Sequence, residues 1–134
     1  MNLLLDTHVL LWALSDDPRL PSRARSLITN PHNQPFFSVA SLWELAIKHQ
    51  AHPDKLLVDA NQVLDWCQQA GFGCLQIAER HVLALSTLRY EEGRPPHNDP
   101  FDRIMLCQAK VDGLVLVTRD SLLPNYQEGC VLRV

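Results

Sequence analysis

Five carboxylates in this sequence stand where they could do chemistry together. Asp6 follows the apolar run Leu3-Leu4-Leu5. Glu44 lies in the first turns of the helical stretch after Phe36-Phe37-Ser38-Val39. Asp99 and Asp102 open a helix behind a proline-rich loop, and Asp120 follows the apolar run Leu114–Val117. Carboxylates drawn together from such distant positions repel one another unless a cation lies between them. Oxygen donors with no histidine or cysteine among them select a hard ion, Mg²⁺ or Mn²⁺. An ion held in this way activates a bound water and neutralises charge on a phosphodiester. Helix N-termini beside it favour a phosphate. Phosphodiester hydrolysis is the reaction this set fits best.

Each acid also has a plainer reading as a helix cap. Asp6 could cap the first helix and Asp99 the helix that starts at Pro100. Asp102 would complement that helix's dipole. Ser41-x-x-Glu44 fits a capping box, and Asp120 could cap a last short helix.

The elements decide whether the acids can meet. Residues 2–5 read as a buried strand, and a helix runs from Asp6-Thr7 to Asp16-Asp17-Pro18. Residues 22–29 suggest a second helix. Residues 36–39 form a strand, and Ser41 opens the next helix. Asn61–Ala70 is a helix with Val63, Leu64 and Cys67 inward, and Cys74–Ile77 a strand. Residues 79–88 are helical, carrying Val82, Leu83, Leu85 and Leu88. Residues 91–98 form a loop, the next helix runs to Val111, Leu114–Val117 is a strand, and 130–134 an edge strand. Apolar strands alternating with helices imply a parallel sheet covered on both faces. Sites in such folds form beyond the carboxyl ends of the strands, so the handovers lie along one edge.

At 134 residues the chain is expected to be one domain, 1–134, with a core that needs no disulfide. Four scattered cysteines without a C-x-x-C pair read as reduced thiols. No apolar run reaches membrane-spanning length and no signal peptide precedes Asp6, so a cytoplasmic protein is expected. The net charge of −3, from 12 basic and 15 acidic residues, sits uneasily with a nucleic-acid substrate. Lys48, Arg94, Arg103 and Arg119 are the cations near enough to the acids to line a local groove.

Four segments carry a family resemblance. Leu4-Leu5-Asp6-Thr7-His8-Val9-Leu10-Leu11-Trp12 resembles the opening of a PIN domain. Ser41-Leu42-Trp43-Glu44-Leu45-Ala46-Ile47-Lys48, His97-Asn98-Asp99-Pro100-Phe101-Asp102-Arg103 and Leu116-Val117-Thr118-Arg119-Asp120 resemble its later acidic motifs, in order and over nearly the whole chain. The likeness is to VapC-type toxins. It implies a three-layer α/β/α sandwich around a mainly parallel sheet. It implies a Mg²⁺- or Mn²⁺-dependent endoribonuclease acting on tRNA, rRNA or mRNA. It also implies a homodimer restrained by a cognate antitoxin, which carries the pair to operator DNA. By position, Asp6, Glu44 and Asp102 match the metal-binding acids and Asp120 the fourth acid. Asp99 is read mainly as a cap, and Thr7 and Thr118 as supports of the carboxylates. In one departure, a glycine-containing basic turn is expected after Lys48, where the chain has His49-Gln50-Ala51-His52-Pro53-Asp54-Lys55.

Two rival functions compete with this reading. An aspartyl nucleophile at Asp6, as in haloacid-dehalogenase-like enzymes, wants a second Asp where His8 stands. A non-catalytic binding module would not need all four acids. His49-x-x-His52 lacks a third ligand, and no G-x-S-x-G elbow is present. His8 is read as packing at the helix start. Trp12 and Trp43 are read as core or subunit-interface residues, with base stacking the lesser alternative.

Overall fold

The computed structural model describes residues 1–134. β1 (Asn2–Leu5) is its centre. β1 pairs with β2 (Gln34–Ser38) on one side and β4 (Val115–Thr118) on the other. β3 (Gly73–Leu75) lies beyond β2 and β5 (Val131–Arg133) beyond β4, giving the order β3-β2-β1-β4-β5 with every pairing parallel. Leu3, Leu4 and Leu5 are all fully buried, because both faces of the sheet are covered. Alternate side chains feed two cores. Leu3, Leu5, Phe37 and Val117 pack with Val9 and Leu10 of α1 (Thr7–Leu14), Ala24 of α2 (Ser22–Thr29) and Val63 and Cys67 of α4 (Ala60–Gln69). Leu4 and Leu116 pack with Ile104, Met105 and Ala109 of α6 (Pro100–Asp112) on the other face. α3 (Val39–Ala51) reaches both, through Leu45 and Ala40. The result is the expected three-layer α/β/α sandwich.

Several boundaries differ from the sequence reading. α3 starts at Val39, because Ser38 leaves the strand in an extended conformation and its hydroxyl accepts the Ala40 N–H at 3.0 Å. Ser41 is therefore inside the helix, and Ser41-x-x-Glu44 is not a capping box. A true box closes the N-terminus of α4 through Asp59 and Gln62. The expected helix over 79–88 divides into α5 (Glu79–Leu83) and a 3₁₀ turn at Ala84–Thr87. This division turns Val82 and Leu83 outward, 50% and 74% exposed, and buries His81 instead. Trp43 is 58% exposed, with its ring edge on Phe101. Trp12 is half-buried against the first core. All four cysteines are free thiols. No helix is long and apolar enough to cross a membrane.

α6 is keyed to the sheet by a polar contact in an apolar layer. Gln108 is fully buried. Its Oε1 accepts the Ser38 hydroxyl at 2.7 Å, and its Nε2 donates to the Gln76 carbonyl at 3.1 Å. One side chain thus ties α6 to the carboxyl end of β2 and the exit of β3. Gln108→Met keeps the volume and strands these partners, each costing on the order of 1–3 kcal/mol when left unpaired. We expect a loss of about 2 kcal/mol in urea unfolding, with little change in secondary structure by circular dichroism.

Candidate active site

The parallel strands end on one edge, and the acids gather there. Asp6 leaves β1 in an extended conformation and caps α1, its Oδ1 accepting the Val9 N–H at 2.9 Å. Its Oδ2 accepts the hydroxyl of Thr118 at 2.5 Å. The pairing of Leu5 with Val117 sets those two strand ends side by side. Asp6 is 3% exposed. Burial raises its carboxyl above the ordinary value, against the Thr118 and Val9 hydrogen bonds.

Glu44 projects from the second turn of α3 and is also buried. Its Oε1 accepts the Thr7 hydroxyl at 2.7 Å, and Lys48, one turn on, donates to Oε2. Thr7 and Ser41 share a hydrogen bond of 2.9 Å behind it. Thr7 and Thr118 therefore both orient carboxylates.

The third group comes from the start of α6. Asp99 caps it, accepting the N–H groups of Phe101 and Asp102 at 2.9 and 3.1 Å. Pro100 at the first helical position has no N–H to satisfy. Asp102 is partly buried, and its Oδ2 lies 3.2 Å from Nε2 of His97. Nδ1 of His97 is 2.8 Å from the Tyr126 hydroxyl. Asp120 Oδ1 accepts two backbone N–H groups, from Leu122 and Leu123, at 2.6 and 3.0 Å. Ligand atoms of His97, Asp102 and Asp120 all lie within 4.8 Å of one another.

The carboxyl of Asp102 is pushed up from 3.8 to about 8, first by burial and then by the charges of Asp99, Asp6, Asp120 and Glu44. Four other acids thus act on one carboxyl, which is the convergence the sequence pointed to. The donor chemistry, several carboxylates short of compensating charge, fits a divalent cation.

The tightest group differs from the one expected. Asp6 and Glu44 have both oxygens engaged by protein donors, whereas His97, Asp102 and Asp120 face one another. His97 carries no role in the expectation from sequence. Its signal was position, a histidine five residues before Asp102 at the end of the loop. Among the cations, Lys48 meets Glu44, and Arg103 lines a cavity of about 350 Å³ with His97 and Tyr126. Arg94 pairs with Glu91 at 3.3 Å on the exposed loop. Arg119 turns to the Val134 carbonyl at 2.7 Å. His8 is exposed and lies against Trp12.

The chain is a parallel α/β sandwich with carboxylates collected at its strand ends, and the comparisons give its family. The family model for the PIN domain matches residues 3–128. The chain belongs to the PIN-domain family. Its fold is similar to VapBC2 from Rickettsia felis, solved bound to a DNA fragment from its promoter. That match has a TM-score of 0.72 at 18% identity, covering 100% of this chain and 99% of that one. VapBC-1 from nontypeable Haemophilus influenzae matches with a TM-score of 0.55 at 19% identity, over 90% of this chain and 87% of that one. FitAcB from Neisseria gonorrhoeae matches with a TM-score of 0.55 at 20% identity, over 90% and 88%. No curated protein matches the chain.

The raised Asp102 carboxyl has a measurable sign. The unfolded chain loses that proton near 3.8 and the folded protein near 8. Between these values the folded state holds a proton the unfolded state has released. The stabilisation is therefore complete below the lower value and lost as pH rises through the upper one. In EDTA we expect thermal stability to fall between about pH 5 and 8, by up to roughly 1.4 kcal/mol per pH unit. Asp102→Asn should flatten that slope in thermal melts; an unchanged slope would place the proton elsewhere.

Proposed function

We propose that this chain is a metal-dependent endoribonuclease, the toxin of a VapBC-type toxin–antitoxin pair. The observation that carries the reading is the Asp102 carboxyl, under the influence of four other acids at the strand ends. Asp6, Glu44 and Asp102 would hold the ion, with Asp120 supporting it or a bound water. A bound Mg²⁺ or Mn²⁺ would activate water and offset charge on the scissile phosphate. The protein's own part is positioning. Thr118 and Thr7 fix the rotamers of Asp6 and Glu44, Asp99 fixes the start of α6, and Gln108 fixes α6 on the sheet. Arg103 and Lys48 supply local positive charge for an RNA backbone despite the net charge of −3.

The partner assignments belong to the same proposal. An apolar groove of about 720 Å³ is lined by Leu11, Trp12, Leu56 and Trp66 and reaches Thr7 and Lys48 beside the acids. A helical or extended antitoxin segment suits such a groove. Operator DNA would be met through the antitoxin. The exposed apolar side chains Trp43 and Ile47 of α3 and Val82 and Leu83 of α5 supply surface for a homodimer. The chain would act as a single domain in the cytoplasm.

The test is cleavage of a fluorescent single-stranded RNA, total tRNA and ribosomes by antitoxin-free protein in Mg²⁺, Mn²⁺ or EDTA, beside Asp6→Asn. Asparagine keeps the oxygen that caps α1, so the variant should fold. We expect ion-dependent cleavage that falls by about a hundredfold or more in the variant. Ion binding without cleavage of any of these RNAs would leave a binding module.

A further inference from the structure

We infer that His97 is a nitrogen ligand of the ion in this site, and that the site in consequence favours Mn²⁺ over Mg²⁺. The inference rests on the reading that these acids hold a divalent cation, and it changes the donor set from oxygen alone to oxygen and nitrogen. Its basis is geometric. Nε2 of His97 and carboxylate oxygens of Asp102 and Asp120 lie within 4.8 Å of one another, close enough for one ion to bridge them. The His97 side chain is 3% exposed. It is also built in. Tyr90 stacks over the ring at 6.4 Å with an interplanar angle of 25°, and Tyr126 meets it edge-on at 5.3 Å and 90°.

The other ring nitrogen has its own partner. Nδ1 is 2.8 Å from the Tyr126 hydroxyl. A ligating histidine ordinarily gives its second nitrogen to an outer partner that fixes tautomer and orientation. With Nδ1–H donated to the Tyr126 oxygen, the Nε2 lone pair faces the acids. Nε2 and Asp102 Oδ2 lie 3.2 Å apart. An ion that takes both atoms sends any proton shared between them to solvent, and no other bond changes. Asp120 is prepared in a similar way, since both backbone donors sit on Oδ1 and leave Oδ2 for the ion.

Metal choice follows from the donors. Mg²⁺ prefers oxygen and gives up its waters reluctantly, whereas imidazole suits the later first-row metals and is accepted by Mn²⁺. An oxygen-only site also takes Mn²⁺, so the informative quantity is the Mn²⁺-to-Mg²⁺ affinity ratio with and without the imidazole.

The experiment is pulsed electron paramagnetic resonance of Mn²⁺ bound to the full-length, antitoxin-free protein, without substrate. We expect ¹⁴N modulation in the wild type that converts to the ¹⁵N pattern on histidine labelling and disappears in His97→Gln. We expect titration calorimetry to give a Mn²⁺-to-Mg²⁺ affinity ratio about tenfold lower in that variant. Bound Mn²⁺ without nitrogen coupling in the wild type overturns the inference. Coupling that survives in His97→Gln overturns it as well, and points to His8, two residues from Asp6. The wild-type spectrum stands whether or not the variant folds. Mn²⁺ that fails to bind, or binds equally to Asp102→Asn, overturns the acid-site reading itself; bound Mn²⁺ that Asp102→Asn removes but shows no nitrogen coupling overturns only the role of His97.

Discussion

Like charges held together at the carboxyl edge of the sheet are the constraint around which this molecule is organised. Two full charges 4.8 Å apart, at an effective dielectric constant of about 20, repel by roughly 3 kcal/mol. A domain of this size has a net stability of only about 5–15 kcal/mol, so several such pairs left unanswered would matter. The protein answers each acid differently. Asp6 receives a hydroxyl and a backbone N–H, Glu44 a hydroxyl and an ammonium, and Asp120 two backbone N–H groups. Asp102 receives only an imidazole contact of 3.2 Å. Burial, and then the charges of Asp99, Asp6, Asp120 and Glu44, push its carboxyl up to about 8.

Capping a helix does not remove these acids from the cluster at the strand ends. Asp6 caps α1 with one oxygen and faces Thr118 with the other. Asp120 caps the turn that leads into Leu123 with one oxygen only. Asp99 does pure capping, and that fixes the first turn of α6, from which Asp102, three residues later, meets His97. A carboxylate pinned by a helix N-terminus loses rotamer freedom on folding, so a ligand need not order it afterwards. The sheet supplies the rest. Parallel pairing of β1 with both β2 and β4 puts Asp6, the start of α3 and Thr118 at one level, and Thr7 of α1 then bonds Ser41 and Glu44 of α3.

Most of this architecture was legible because it rests on local rules. Apolar runs of four residues, the Asp99-Pro100 start and the spacing of acids after strands each carry a physical reason that one sequence displays. The strand order was not legible, since no local pattern says that β5 lies beside β4. The α3 boundary was missed because Val39 has strand character and Ser41 resembles a cap, while Ser38 wins by being the residue at which the strand geometry ends. The approach of His97 to Asp102 was not legible, because a histidine in a proline-rich loop carries no local signal of where its ring will lie. The Ser38–Gln108 contact had a faint trace, a glutamine on the apolar stripe of Ile104, Met105 and Ala109, which composition alone could not interpret.

The departure after Lys48 shows which parts of the fold are free to change. Where a basic glycine turn was expected, α3 runs on to Ala51 and the chain turns through His52. His49 Nδ1 then secures the Leu56 carbonyl at 2.7 Å, so a side chain supplies the closure that a glycine turn would have made in the backbone. The segment beyond lines the groove with Leu56, Leu57 and Val58. None of this touches Asp6, Asp102 or Asp120, which hang from strand ends and helix caps on the sheet. The same division fits a fold kept at 18–20% identity. Residues that satisfy the repelling carboxylates are bound by the sheet's geometry, whereas the turn after α3 answers only to what meets it from outside. The carboxylate cluster and the groove beside residues 52–58 thus rest on different elements, the first on strand ends and helix caps and the second on the turn that follows α3.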